Sequence, residues 1–151
     1  MMRNNKAGFT LVEIMITVAI VALLAAIAIP NLVRAKVTAN DTASLAFLKS
    51  LSTALETYAA GNVGRYPVAD SLAALAASDF ATSIPPFLSD VKLTSPQFGH
   101  NILFAGSVGG YQVAANVVTP NRSGVKNFRM STGSVAESED CSEPGYTVTA
   151  P

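Results

Sequence analysis

The chain of 151 residues is long enough for one modest domain and too short for a second independent core. Half of its residues are hydrophobic, only 13% are charged, and the mean hydropathy is +0.37, so part of its apolar surface must face a membrane or other copies of the chain. Ten basic and ten acidic residues give zero net charge, and no basic run argues for nucleic-acid binding. A single cysteine and a single histidine exclude an intrachain disulfide and a histidine metal cage.

The apolar residues are concentrated near the N-terminus. The run Ile14–Ile29 carries no charge, and with its flanks it is long enough to cross a bilayer. Residues 1–8 carry Arg3 and Lys6 and no acid, so the positive-inside rule predicts that they lie in the cytoplasm and that the rest of the chain lies outside. Glu13 lies within the apolar stretch, where an unpaired carboxylate costs at least a few kcal/mol.

This apolar segment has two interpretations. Small residues at Ala25–Ala28 fit a secretory signal that is cleaved and discarded. Against that, Glu13 lies inside the stretch, and Pro30 is followed by a helix-compatible segment rather than a loop. We therefore expect a retained anchor, with a helix kink at Pro30 because proline lacks an N–H and crowds the preceding turn.

Residues 31–60 favour an amphipathic helix that continues the apolar segment. They contain no glycine or proline, and Leu48, Leu51, Leu55 and Tyr58 recur at a spacing of three to four. After the break at Gly61–Gly64, the interval Ser71–Ala77 is compatible with one or two helical turns, and Pro85, Pro86 and Pro96 mark irregular chain. Alternating runs then predict strands over Asn101–Ala105, Tyr111–Val118, Val125–Met130 and Ser134–Ala136. The pattern predicts an α+β fold in which an antiparallel meander of three or four strands covers the amphipathic helix.

The stretch KAGFTLVEIMITVAIVALLAAIAIP, which begins at Lys6, closely resembles the N-terminus of bacterial type IV prepilins and of type II secretion pseudopilins. The resemblance implies the type IV pilin fold, a long N-terminal helix packed on a small antiparallel sheet. It also implies four segments: a leader over residues 1–8, a transmembrane and filament-core helix over 9–30, an amphipathic helix over 31–60 and a globular β-rich head over 61–151.

In this family a prepilin peptidase cuts between the residues that correspond to Gly8 and Phe9, and the new amine of Phe9 is methylated. The resemblance further implies that Glu13 pairs with the Phe9 amine of a neighbouring subunit as the helix leaves the membrane. The implied partners are other copies of the chain in a helical filament, the prepilin peptidase, an inner-membrane assembly platform and a cytoplasmic assembly ATPase. The precursor would be a single-pass inner-membrane protein, and the assembled form an extracellular pilus.

Three functions are open at this point. The first is a structural pilin for adhesion, motility or DNA uptake, and the second is a pseudopilin of a type II secretion system, which shares every N-terminal feature. The third is a signal-anchored enzyme or binding domain, which would need a catalytic constellation in residues 61–151, and the sequence offers none. We expect a protein that is not an enzyme and has no cofactor.

Three remaining features have simple interpretations. The acidic patch formed by Glu137, Glu139, Asp140 and Glu143 is either a solvated tail or a Ca²⁺ site. His100 follows Gly99 and is expected in a turn rather than as a general base, because no nucleophile has a recognisable motif around it. Cys141 lies between acids, which disfavours a reactive thiolate.

Overall fold

The structure of the chain is a computed structural model that describes residues 8–82, 87–88, 93 and 98–151. The leader charges Arg3 and Lys6 and the loop prolines Pro85, Pro86 and Pro96 lie outside the described residues. The chain divides into two compact units, Met1–Ala35 and Lys36–Pro151.

Helix α1 (Leu11–Gly61) contains Pro30 and ends at the predicted break. Two backbone N–H groups close its last turn: those of Asn62 and Gly64 both donate to the Ala59 carbonyl, at 3.1 and 2.8 Å. Val63 and Gly64 both have left-handed φ angles, of 57° and 76°. Glycine adopts this conformation freely at a helix end, whereas the β-branched Val63 is strained there.

Two short helices follow, α2 (Leu72–Ala76) and α3 (Asp79–Thr82). Ser71 caps α2, because its hydroxyl oxygen accepts a hydrogen bond from the Ala74 N–H at 3.2 Å. The helical turns expected over Ser71–Ala77 are confirmed by α2, whereas α3 had no counterpart among the sequence predictions.

The sheet consists of β1 (His100–Ser107), β2 (Gly110–Val117), β3 (Lys126–Ser131) and β4 (Glu137–Asp140). Its order is β1-β2-β3-β4 with every pair antiparallel, so the predicted meander and α+β class are confirmed. The fourth strand was wrongly predicted at 134–136. Those residues precede β4, which was missed because all four of its side chains are exposed and carry no apolar alternation.

The core of the second unit lies between one face of α1 and the inner face of the sheet. Leu48, Leu51 and Leu55 are fully buried, as their spacing predicts, and Phe104 and Val113 belong to the same apolar cluster. Each fully buried leucine contributes about 1.5–3 kcal/mol relative to exposure to water. This amphipathic half of α1 is therefore fixed to the sheet by apolar burial.

A carboxylate at the edge of this core binds two tyrosines. Glu56 on α1 accepts hydrogen bonds from the hydroxyls of Tyr66, at 2.7 Å, and of Tyr111, at 3.3 Å. The hydrogen bond to the anionic Glu56 favours the neutral phenol and raises the pKa of Tyr66 to about 12. Burial is the main cause that raises the pKa of Tyr111, whose hydroxyl also lies 2.6 Å from that of Ser52.

Candidate functional site

A capping box begins α1 at the residues that carry the N-terminal motif. The Thr10 hydroxyl oxygen accepts from the Glu13 N–H at 3.2 Å, and the Glu13 carboxylate accepts from the Thr10 N–H and hydroxyl, each at 3.0 Å. This reciprocal pattern satisfies backbone N–H groups that the helix itself leaves unpaired. It also fixes Glu13 in the first turn, where the helix dipole favours a negative charge.

The peptide bond between Gly8 and Phe9 precedes this cap in non-helical chain. The Phe9 side chain is 85% exposed, and a Cβ built on Gly8 would meet no atom within 4 Å. Within the part of the chain that the structure describes, the bond is open to an enzyme. Pairing between Phe9 and Glu13 of different subunits and the kink at Pro30 stay predictions.

The first unit exposes an uninterrupted apolar surface. By length and composition, α1 could cross a bilayer. The most apolar stretch of this helix contains no buried residue. The only polar residue of the Ile14–Ile29 run, Thr17, donates its hydroxyl to the Ile14 carbonyl at 2.9 Å. The exposed large side chains of this unit are Phe9, Leu11, Val12, Ile14, Met15, Ile16, Val18, Ile20, Val21, Leu23, Leu24, Ile27, Ile29, Leu32 and Val33. Such a surface is stable only against lipid or other apolar surfaces.

A buried polar trio, Asp41, Ser44 and His100, joins α1 to the start of β1. Ser44 Oγ lies 2.8 Å from His100 Nδ1, and Asp41 Oδ1 lies 3.4 Å from His100 Nε2. Nε2 also lies 3.0 Å from the Lys126 carbonyl oxygen, and Nδ1 lies 3.0 Å from the Phe98 carbonyl oxygen, so each ring nitrogen faces a backbone acceptor. Each Asp41 carboxylate oxygen also accepts from the Val125 N–H, at 3.2 Å.

The prediction that His100 lies in a turn is wrong. Phe98 and Gly99 form the turn, and His100 is the first residue of β1, with its side chain fully buried. Its side-chain partners Asp41 and Ser44 were missed because Ser44 lies 56 positions earlier in the chain and Asp41 earlier still, where no local pattern connects them to the histidine.

The trio contains the residue types of a catalytic triad, but its geometry does not allow catalysis. Ser44 and His100 are both 0% exposed, so a substrate cannot reach the hydroxyl. A groove of about 370 Å³ on this side is lined by Asp41, and neither Ser44 nor His100 borders it. Gly124 packs directly against the trio, because a Cβ there would lie 2.6 Å from Asp41 Oδ1 and 2.7 Å from His100 Cε1. The trio therefore serves to attach α1 to the sheet.

The acidic patch is an exposed edge strand and the turn that follows it. Glu137 accepts two hydrogen bonds from the Arg129 guanidinium, from Nε at 3.1 Å and from Nη2 at 2.5 Å. Asp140 accepts from the Ser142 N–H at 2.9 Å, and this bond lowers the pKa of its carboxyl. Among the described residues, no three His, Cys, Asp or Glu side chains come together to hold a metal. Calcium binding by Glu137, Glu139 and Asp140, the alternative to a solvated tail, stays open.

Comparison with known proteins agrees with the features at the start of α1. Residues 3–29 match the family model of the prokaryotic N-terminal methylation motif. The chain is 49% identical over 61 residues to a major component of the type IV wide pilus of Thermus thermophilus. This match covers 40% of this chain and 46% of the relative. It is 45% identical over 54 residues to the major type IV pilin of Myxococcus xanthus, which covers 36% and 24% of the two chains.

A second group of relatives belongs to secretion systems. The chain is 35% identical over 86 residues to core protein G of the type II secretion system of Klebsiella michiganensis, which covers 57% of this chain and 58% of that protein. The matched part spans between 24% and 58% of the length of the curated relatives. No solved structure matches the chain significantly. The resemblance to type IV prepilins and type II pseudopilins is thus confirmed, and these relatives support a pilin subunit with a pseudopilin as the alternative.

Proposed function

We propose that the chain is the structural subunit of a type IV pilus and polymerises through α1 into a surface filament for adhesion, motility or DNA uptake. The observation that carries this proposal is the overlap of the methylation motif, residues 3–29, with the first part of α1, where residues 11–29 form a helix whose large apolar side chains are exposed. Before assembly this helix anchors the chain in the inner membrane, with residues 1–8 in the cytoplasm and the head outside.

Processing is the first step of the proposed function. A prepilin peptidase hydrolyses the amide bond between Gly8 and Phe9, which lies in exposed non-helical chain before the Thr10 cap. Removal of the leader takes away Arg3 and Lys6, two cytoplasmic anchor charges, while the apolar helix stays in the bilayer. Methylation of the new Phe9 amine retains its positive charge.

Pairing of charges is the second step. One carboxylate oxygen of Glu13, Oε2, is held by Thr10, and within the described chain Oε1 has no hydrogen-bond donor. The Phe9 amine of a neighbouring subunit binds at Oε1, so each subunit provides one charge to the next. Because an unpaired carboxylate is costly in an apolar bundle, this pairing sets the axial register of the subunits.

Assembly needs outside energy in this scheme. Lipid covers the apolar face of α1 about as well as a neighbouring helix does, so transfer from bilayer to filament gains little free energy. An inner-membrane platform and a cytoplasmic ATPase therefore complete the set of proposed partners. The chain itself acts by assembly rather than by catalysis, in keeping with the inaccessible Ser44 hydroxyl.

The second candidate function is that of a pseudopilin in a type II secretion system. It is favoured by the match to core protein G, which extends over 86 residues and so further than the match to the pilus component. Deletion of the gene separates the two candidates: loss of surface filaments supports the pilin, and loss of protein secretion with filaments intact supports the pseudopilin.

Two variants at the capping box test the proposed assembly. Glu13→Gln keeps the hydrogen-bonding cap and removes the charge, whereas Thr10→Val removes the cap hydroxyl and keeps the charge. We expect the Glu13→Gln variant to insert in the membrane and to be cleaved. Its incorporation into filaments should fall at least about tenfold relative to the parent, because one charge-assisted hydrogen bond is lost. Thr10→Val should retain most incorporation. Normal filament yield from Glu13→Gln would overturn the pairing step.

A further inference from the structure

The segment that follows β4 crosses the outer face of the sheet. Residues 144–151, here called the strap, carry no regular secondary structure, yet Tyr146 is buried and Val148 is half-buried. Their alternation with exposed neighbours is that of an extended chain with one side against a surface. The strap therefore has an inner and an outer side.

Three side chains of the outer sheet face hold the strap backbone. Asn116 on β2 makes two bonds to Tyr146: its Oδ1 accepts from the Tyr146 N–H at 2.9 Å, and its Nδ2 donates to the Tyr146 carbonyl at 2.8 Å. Gln112 accepts from the Thr149 N–H at 3.3 Å, and the Ser107 hydroxyl donates to the Pro151 carbonyl at 2.7 Å. These side chains thus supply to the strap backbone the kind of hydrogen bonds that a neighbouring strand would otherwise supply.

Arg129 on β3 connects the strap with the edge strand. Its guanidinium binds Glu137 of β4 and lies 4.9 Å from the centre of the Tyr146 ring. This hydrogen bond to the Glu137 carboxylate raises the pKa of Arg129, and burial raises that of Tyr146. One cation therefore contacts both the last strand and the strap.

The outer sheet face contains buried apolar residues that do not belong to the main core. Ala105 and Ala114 are buried although their side chains are outside the apolar cluster between α1 and the sheet. Ala114 lies between Gln112 and Asn116 on β2, on the face that these two anchors occupy. Gly145 allows the close approach, because a Cβ there would lie 2.7 Å from Asn116 Cγ.

We propose that residues 144–151 are a releasable strap that closes the outer face of the sheet without a covalent link, with Asn116 and Arg129 as its anchors. Since side chains and not ladder hydrogen bonds hold it, the strap opens without unfolding the sheet. Opening exposes Tyr146, Ala105 and Ala114 and leaves β4 attached to β3 alone.

Hydrogen exchange of the full chain in detergent micelles tests the strap. In Asn116→Ala we expect the Tyr146 and Thr149 amides to exchange at least about tenfold faster, as loss of one or two hydrogen bonds implies, while the β1–β2 ladder amides are unchanged. Cleavage by chymotrypsin after Tyr146 should accelerate in parallel. The matched control is Asn101→Ala, because Asn101 is the exposed cross-strand neighbour of Asn116 on the same face and should leave the strap amides unchanged.

A second variant keeps the proposal testable if Asn116→Ala does not fold. Gly145→Ala changes the strap itself and places a methyl group against Asn116, so it should produce the same local increase in exchange. Unchanged strap exchange in both variants would overturn the proposal. An equal increase in every strand would also overturn it, because the segment would then open only with the whole head.

Discussion

Ser44 on α1 and His100 on β1 lie 2.8 Å apart, from hydroxyl oxygen to Nδ1, and both side chains are completely buried. The Ser44 hydroxyl can donate or accept, and Nδ1 also lies 3.0 Å from the Phe98 carbonyl oxygen. Together with the Asp41–His100 contact and the bonds of Ser52 and Glu56 to Tyr111, this polar link defines one register between the helix and the sheet.

Removal of the Ser44 hydroxyl should destabilise the head. In Ser44→Ala we expect the free energy of unfolding to fall by about 1 kcal/mol, because one buried hydrogen bond is lost while His100 Nδ1 keeps the Phe98 carbonyl oxygen, 3.0 Å away. Ser50→Ala is the control on the same helix, since the exposed Ser50 hydroxyl bonds only the Phe47 carbonyl, and its effect should stay within about 0.5 kcal/mol. Urea unfolding in detergent measures both. Equal effects of the two variants would show that the trio is not a structural link.

Gly124 should tolerate no side chain. A Cβ at this position would lie 2.6 Å from Asp41 Oδ1, so we expect Gly124→Ala to cost about 1–3 kcal/mol in the same unfolding experiment. A Cβ at Gly61, the last residue of α1, meets nothing within 4 Å, and Gly61→Ala should leave stability unchanged or slightly raised. A neutral Gly124→Ala would contradict the close packing around Asp41.

Val63 should be replaceable with a gain in stability. Its φ of 57° is unfavourable for a β-branched residue, and its side chain is 95% exposed, so it contributes almost no burial. We expect Val63→Gly to raise the free energy of unfolding by about 1 kcal/mol. Val68 is also exposed but has no left-handed φ, so Val68→Gly should lower stability or leave it unchanged. A destabilising Val63→Gly would disprove the strain.

Glu56 should control the titration of Tyr66. The folded pKa of Tyr66 is raised to about 12, so the Tyr66–Glu56 bond contributes fully below the ordinary phenol pKa of about 10 and is lost as pH rises through about 12. We expect Glu56→Gln to lower the pKa of Tyr66 toward 10. The pKa is measured from the absorbance of tyrosinate as pH rises. Subtracting the titration of the matching Tyr66→Phe variant from that of the parent or of Glu56→Gln isolates the signal of Tyr66. Glu143→Gln is the control, and a Tyr66 pKa that is insensitive to Glu56→Gln would refute the bond.

The parts of the fold that follow from local patterns could be predicted from the sequence. The spacing of Leu48, Leu51 and Leu55 identified the buried face of α1, and alternation identified β1, β2 and β3 to within three residues at each end. The start of α1 was predicted at residue 9 from the N-terminal motif and the apolar run, two residues before the observed start at Leu11, and the capping box between Thr10 and Glu13 was not predicted.

The contacts that depend on distant residues could not be predicted. Asp41 and Ser44 meet His100 only after α1 has packed on the sheet, and the hydrogen bonds from Asn116 to the strap join residues 30 positions apart. Strand β4 was missed for another reason: backbone pairing with β3 and the Arg129–Glu137 ion pair hold it, although its side chains look like those of a solvated tail.

The most direct measurement of the proposed function is the mass of the N-terminal peptide of the chain recovered from filaments sheared off the cell surface. The proposal predicts a peptide that begins at Phe9 and carries one added methyl group on its amine. A mature chain that begins at Ala26 or later would contradict it, because the helix that forms the filament core would then have been discarded as a secretory signal.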